Sequence, residues 1–211
     1  MRKKFTTGQP YFLLHFLDQE FRFPVITSLV YLGKNLEGEG EDDLWFFQDS
    51  ESHLKCGPYD GSDKTVNFKN HMAGEVYDFP ENQLRGILTV QELIDELKGG
   101  AMESLTGVGM NTEFCEGEVY YRLTFPDAGL FYPQVETFVF VGKNLSDEDK
   151  EDVWYFQFAD SYAKFGSILK CKDGDRKVCL ATRRDLVDML DLTGLLKELE
   201  MAAKRRRIRT R

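Results

Sequence analysis

Cysteine, histidine, proline and tryptophan are all scarce in this chain of 211 residues, with 4, 3, 6 and 2 of each. Four cysteines without a secretory leader read as free thiols in a reducing compartment, which excludes a disulfide scaffold. The opening Met1-Arg2-Lys3-Lys4 looks like the start of a leader. The apolar run Tyr11–Leu17 that follows is interrupted by His15, ends in Asp18-Gln19-Glu20 and offers no small-residue cleavage site. No run approaches the ~20 apolar residues that a membrane-crossing helix needs. The expectation is a cytoplasmic protein with no membrane span. A Ser-His-Asp arrangement, a Gly-x-Ser-x-Gly elbow and a dinucleotide fingerprint are all missing, so no catalytic set, metal or cofactor is implied.

Basic charge is lacking over most of the length. Six of the 27 Lys and Arg residues fall in Lys204–Arg211, which leaves 21 basic against 36 acidic groups over residues 1–203, a balance of −15. Such a body repels phosphate backbones, so nucleic acid is excluded as its partner except through the tail. The natural partner is a protein, and a basic one. The tail itself reads first as a disordered solubilising end, with an anionic contact or a strap on the acidic body as alternatives.

What the chain does have is a repeated stretch. Leu29-Val30-Tyr31-Leu32-Gly33-Lys34-Asn35-Leu36, an acidic loop and Leu44-Trp45-Phe46-Phe47-Gln48 return as Phe138-Val139-Phe140-Val141-Gly142-Lys143-Asn144-Leu145, an acidic loop and Val153-Trp154-Tyr155-Phe156-Gln157. Both tryptophans sit in it, 109 residues apart. Aligned without a gap, Tyr11–Gly57 and Tyr120–Gly166 are identical at 18 of 47 positions. An internal duplication follows, and it governs the fold assignment.

Each copy opens with an alternating strand, turns at Asp18 or Asp127, and enters a second strand through Pro24 or Pro133. That second strand is apolar on both faces at its end, as suits a strand buried on two sides. The Trp-bearing strand returns antiparallel to it. One or two helical turns follow, with Gly57 and Gly166 as C-terminal caps. Copy one then carries about 16 further residues of turn composition, read as a surface or binding loop spanning 58–79. The copies reconverge on a helix: Thr89 with Glu92 forms a capping box, matched to Thr182 with Asp185. Leu93, Ile94 and Leu97 face the core in one, and Leu186, Val187, Leu190 and Leu195 in the other, with Gly194 as a break. Ser167–Cys171 and Lys177–Leu180 read as a hairpin around the Asp173–Asp175 turn, which would bring Cys171 and Cys179 opposite each other.

The resulting expectation is an α+β fold. It is a tandem duplication in which each copy is a small antiparallel sheet of about four or five strands with a C-terminal helix, packed as a pseudo-twofold pair. The divisions are 1–98 for the first copy, 99–117 for a Gly-rich linker, 118–203 for the second copy and 204–211 for the basic tail. The chain would be a monomer with internal pseudo-symmetry or a homodimer.

Gly-Lys-Asn-Leu lacks the spacing, the Ser/Thr and the following helix of a phosphate loop. It reads as a strand-end bulge or turn, with Asn accepting an unusual backbone angle. The tryptophans read as core rather than as a stacking platform. His53 and Cys56 share a helix face, but Tyr162 and Phe165 stand at the matching positions, which argues packing over metal binding or catalysis. Three functions remain. The first is a non-enzymatic acidic protein-binding module, of the inhibitor or immunity type, for a basic partner. The second is a small-ligand-binding protein or enzyme using a cleft between copies, where Lys34, Asn35, Lys143 and Asn144 would be the binding residues. The third is a structural, self-assembling protein.

Overall fold

The computed structural model describes residues 3–19, 22–36, 43–59, 76–99, 114–149, 151–170 and 177–209, with side chains as far as 205. The architecture is α+β with two antiparallel sheets. The first sheet contains β1 (Pro10–Phe16), β2 (Pro24–Lys34), β3 (Leu44–Asp49), β4 (Val76–Pro80) and β5 (Ile87–Leu88), in the order β4-β3-β2-β1-β5. The second contains β6 (Val119–Thr124), β7 (Gln134–Lys143), β8 (Trp154–Phe158) and β9 (Val178–Ala181), in the order β6-β7-β8-β9. Short helices α1 (Ser50–Cys56) and α3 (Ala159–Phe165) follow the Trp strands, and α2 (Val90–Gly99) and α4 (Leu192–Arg209) follow the sheets.

Alternation explains the sheets. In β1, Phe12 points to one face and Tyr11 and Leu13 to the other. In β7, Val135 joins one cluster while Phe138 and Phe140 join another, and Phe138 to Val141 are all buried. Two faces per strand make three main clusters. An outer aromatic one lies on each sheet: Tyr11, Tyr31 and Phe47 with Phe5 on the first, and Tyr120, Phe140 and Phe156 with Phe114 on the second. The third lies between the sheets and both long helices, and joins Phe12, Ile26, Leu93, Ile94 and Leu97 to Tyr121, Val135, Leu192, Leu195 and Leu199. Fully burying a Leu side chain is worth roughly 1.5–3 kcal/mol, so this shared cluster ties the two sheets into one unit.

The β2 and β7 strands pack against each other. Small side chains permit the approach: Ser28 and Thr137 are both buried there, and Ser28 Oγ donates to the Pro133 carbonyl. The ring of Phe23, just before β2, lies tilted 5.5 Å from that of Tyr162 of α3, while Tyr132, just before β7, lies 5.8 Å from His53 of α1. Tyr132 also donates to Gly8 O at 3.1 Å.

The capping box of α2 forms in both directions: Thr89 N donates to Glu92 Oε2 at 2.7 Å, and Glu92 N donates to Thr89 Oγ1 at 3.2 Å. Leu93, Ile94 and Leu97 face inward, 0–1% exposed.

The later parts of the chain depart from the expectation. Thr182 does not open an α-helix. Its side chain and backbone N–H bond to Asp185, and only a 3-10 turn, Asp185–Asp188, follows. The long helix begins at Leu192 instead, capped by Asp191 Oδ1 accepting from Gly194 N at 2.7 Å, so Gly194 sits in its first turn and breaks nothing. Val187, expected inside, is 77% exposed because it lies on that 3-10 turn. Among the described residues no strand pairing joins 167–170 to β9. Ser167 starts a turn, and β9 pairs with β8. Val76–Pro80, read as the end of a loop, is strand β4 on the edge of β3, an assignment its alternating Val76, Tyr77 and Phe79 suit.

Gln48 pairs with Val76 and Gln157 with Val178, so the spacing between matched positions drops from 109 to 102. The connection from Gln48 to its strand partner is thus 7 residues longer than that from Gln157. Residues 60–75, the linker residues 100–113, His71, Cys171 and the Asp173–Asp175 turn lie outside the described residues.

Lys204–Arg209, expected as a disordered end, continues α4. Among the described residues no helix is long and apolar enough to cross a membrane.

Candidate functional site

The Gly-Lys-Asn-Leu step begins with an extra residue. Tyr31 faces Phe47 and Gly33 faces Phe46, so Leu32 is a bulge; Val141 is the corresponding bulge between Phe140 and Gly142. A bulge raises local twist and turns the strand end out of the sheet. Asn35 and Asn144 then take the left-handed conformation, both with φ of 53°. Asparagine accepts that conformation because its short side chain bonds locally. Here the bonding is reciprocal. Asn35 N donates to Leu44 O at 2.8 Å, and Leu44 N donates to Asn35 Oδ1 at 2.8 Å. Asn144 and Val153 repeat both bonds at 2.8 Å.

Each lysine has two partners of its own. Lys34 Nζ lies 2.6 Å from Asp43 Oδ2 and 4.8 Å from the Trp45 ring centroid. Lys143 Nζ lies 2.8 Å from Asp152 Oδ2 and 4.5 Å from the Trp154 ring. Asn35 and Asn144 donate to the same carboxylates, at 3.1 and 3.3 Å. The hydrogen bond from Lys143, with that from Asn144, holds the Asp152 carboxyl below its usual range. These pairs are exposed and screened by solvent, so they add little to stability. The glycines admit a close approach: a Cβ at Gly33 would stand 2.9 Å from Leu36 Cδ2, and one at Gly142 would stand 2.8 Å from Leu145 Cδ2. Every residue of the step thus has a local structural partner, and together they clamp the neck of an acidic loop.

The structure brings Lys34 and Asn35 together, and Lys143 and Asn144 together, but it shows no contact between the two pairs among the described residues. The strand directions explain why. Phe23 and Tyr132 precede β2 and β7 and make the ring contacts to Tyr162 and His53, while Lys34 and Lys143 close the far ends of the same strands. At about 3.3 Å per residue, strands of 11 and 10 residues carry the two pairs well clear of the junction.

The loop between β7 and β8 is described except for residue 150 and is internally braced. Asp149 accepts from Ser146 N at 3.1 Å and from the Tyr155 hydroxyl at 3.0 and 2.9 Å. That turns Asp149 inward and leaves Asp147, Glu148, Glu151 and Asp152 exposed.

Sequence reasoning missed a second clamp. Gln48 and Gln157 are buried, 2% and 0% exposed. Gln48 Nε2 donates to Gly57 O and Gln157 Nε2 to Gly166 O, at 3.1 and 3.0 Å. Their Oε1 atoms accept from Tyr59 N and Ile168 N, at 3.1 and 3.0 Å. The signal was available: an amide recurring in an apolar strand, three residues after each tryptophan. Gln48 Oε1 also meets His53 Nδ1 at 3.1 Å. Because Gln48 Nε2 is engaged elsewhere, His53 Nδ1 is the donor. Burial lowers the His53 pKa. Cys56, its proposed neighbour in chemistry, is exposed, and Cys56, Cys115 and Cys179 are free thiols. Among the described residues no group of three or more His, Cys, Asp or Glu side chains could hold a metal ion.

No family model, curated protein or solved structure matches the chain.

Proposed function

We propose that the chain is a tandem duplication packed as a pseudo-twofold pair, and that the pair is a non-enzymatic acidic module that binds a basic protein. Three observations support the duplication. The first is the spacing of 109 between matched residues. The second is the recurrence of both clamps: the two Asn necks share the same bonds, and both Gln side chains bridge a Gly carbonyl and a later backbone N–H, with His53 added to Gln48 and Ser161 to Gln157. The third is the exchange of junction contacts, in which Phe23 meets Tyr162 while its counterpart Tyr132 meets His53, the counterpart of Tyr162. Such exchange is what a twofold relation requires.

The binding reading is carried by the charge balance of −15 over residues 1–203, together with a braced loop that presents Asp147, Glu148 and Glu151 outward. Carboxylates carried on a braced backbone steer a basic partner, and the loop itself has less freedom to lose when it docks. An inhibitor or immunity-type role fits this chemistry, in the cytoplasm, with a monomer of internal pseudo-symmetry or a homodimer as the assembly. A small-ligand protein or enzyme using Lys34, Asn35, Lys143 and Asn144 is the weaker reading, since both lysines are already paired.

The test is capture from the native cell on the immobilised full chain, at about 50 mM and about 300 mM salt, where screening shortens from roughly 14 to 6 Å. The expected result is a basic protein retained at low salt, released at high salt and lost with the Asp147→Asn, Glu148→Gln, Glu151→Gln variant. Retention of no protein at low salt contradicts the reading.

A further inference from the structure

The two sheets end on edge strands of different chemistry. Beside β9, Phe158 N donates to Lys177 O at 3.0 Å, so Lys177 and Phe158 form a hydrogen-bonded pair. Bonded and unbonded pairs alternate along an antiparallel ladder. The backbone groups of Cys179 and Ala181 therefore also turn toward β8. Those of Val178 and Leu180 turn outward, where nothing among the described residues pairs with them. Thr182 closes the edge, because its N–H is taken by Asp185. The matching pairs of β4 turn Val76, Asp78 and Pro80 outward. Asp78 puts a charge on that edge and Pro80 has no N–H to offer, two of the usual ways in which an edge is blunted. Leu180 stands in β9 where Asp78 stands in β4, opposite Tyr155 as Asp78 is opposite Phe46, and it is 59% exposed.

The outer edge of β9 is thus an open row of main-chain groups with an exposed leucine at its centre, and positive charge lies at both ends of it. Lys177 precedes the strand, and Arg183 and Arg184 follow it. All three are exposed, and their side chains make no ion pair or hydrogen bond among the described residues. Asp185, the carboxylate that adjoins them in sequence, is engaged by Thr182 N and Oγ1 at 2.8 and 2.7 Å. This charge selects the occupant. A second copy laid antiparallel on β9 through its own β9 sets these cations against their own kind, which is destabilising. A nucleic-acid backbone meets the cations but has no strand ladder to offer the edge. An extended acidic peptide meets both, since main-chain bonds hold it on the edge and its side chains read the flanks.

We propose that the outer edge of β9 accepts an extended segment of a partner protein, apolar at its centre and acidic at both ends, as a fifth strand of the second sheet. Val178 and Leu180 supply the main-chain bonds. The apolar centre lies beside Leu180, and the acidic ends reach Lys177 on one side and Arg183 and Arg184 on the other. This goes beyond the binding role assigned to the acidic body, because it uses a different element and the opposite charge, so either can fail without the other.

The test is amide hydrogen exchange, read residue by residue by NMR on the isotope-labelled full chain, with and without the synthetic peptide Asp-Glu-Val-Thr-Val-Thr-Val-Asp-Glu. In the free chain the Cys179 amide should be protected, while those of Val178 and Leu180 exchange openly. At about 1 mM peptide, the weak end of specific binding, exchange at Val178 and Leu180 should slow about tenfold or more, with Asp78 unchanged. Leu180→Asp, which copies Asp78, should lose this slowing while melting with the parent. A separate Lys177→Glu, Arg183→Glu, Arg184→Glu variant should lose it too, and the same peptide with Lys in place of its acidic residues should produce none. Four results would overturn the proposal. These are no slowing at Val178 and Leu180 with the acidic peptide, equal slowing with the Lys peptide, full slowing in the folded charge-reversed variant, or slowing that grows with the concentration of the chain alone, which marks pairing with a second copy.

Discussion

Phe12 and Tyr121 occupy matching places, one on each sheet, and both are fully buried in the same cluster. Phe12 brings no polar atom there. Tyr121 brings a hydroxyl that finds no hydrogen-bond partner among the described residues, and burial pushes its pKa far above the ordinary phenol value. Ser28 and Thr137 differ in the same way: Ser28 bonds across the junction to Pro133, while the Thr137 hydroxyl is buried without a partner. The Asn clamps, in contrast, are the same in both halves. The difference teaches which positions carry geometry and which carry only volume. A left-handed backbone with two reciprocal bonds admits almost nothing but Asn, whereas a core position accepts any apolar shape that fits, even at the cost of an idle hydroxyl.

The comparison can be broken first at the shared core. Leu195→Ala should cost about 2–5 kcal/mol, as large-to-small changes at fully buried sites do, and Leu93→Ala should cost a similar amount. In urea both variants should keep one transition with the parental slope and a lowered midpoint. A second transition for either would separate the halves. Next come the clamps. Asn35→Ala and Asn144→Ala should each lose about 1–3 kcal/mol, combining a strained left-handed alanine with an unpaired strand N–H. Equal losses would sharpen the equivalence of the two necks, and a large loss at one alone would break it.

The halves should also part company with pH. Burial lowers the pKa of His15 and of His53 from 6.5, and the second half has Thr124 and Tyr162 at those places. A depressed folded-state pKa means that the unfolded chain binds more protons below pH 6.5. Stability from these groups is therefore present above about pH 6.5 and is lost as pH falls through the folded pKa values. Thermal melting between pH 7.5 and 5 should show this loss, and His53→Tyr, which copies Tyr162, should reduce it. An unchanged slope in that variant would remove His53 from the account. The smallest effect is expected at Tyr121→Phe. Deleting an unpartnered buried hydroxyl should leave stability unchanged or raise it by up to about 1 kcal/mol, read as a higher melting temperature.

Much of this was legible because geometry demands particular residues. Gly33, Asn35, Trp45 and Gln48 recur at a constant interval, Asn predicted the left-handed angle, and Gly at a cap and Thr with Glu at a helix start predicted the bonds that formed. The later part of each half was misread for the opposite reason. β4 and β9 lie on sheet edges, where Val76–Pro80 and Val178–Ala181 share little but an apolar first residue. The two helix starts solve one capping problem with different residues, Thr89 with Glu92 in one and Asp191 in the other. A search for a second Thr-x-x-acid then lands on Thr182, nine residues too early. The placement of Lys34 and Lys143 away from the junction depends on how two sheets cross, which no local pattern encodes.

That two sheets make one unit around the cluster of Phe12, Leu93, Tyr121 and Leu195 is the central claim, and native-state hydrogen exchange on Leu93→Ala tests it most directly. The account predicts that core amides of β7 and β8, such as Phe138 and Phe156, lose as much protection as Leu29 and Phe47 of the first sheet, because all exchange through one global opening. Loss confined to the first sheet, with Phe138 and Phe156 protected as in the parent, would contradict it.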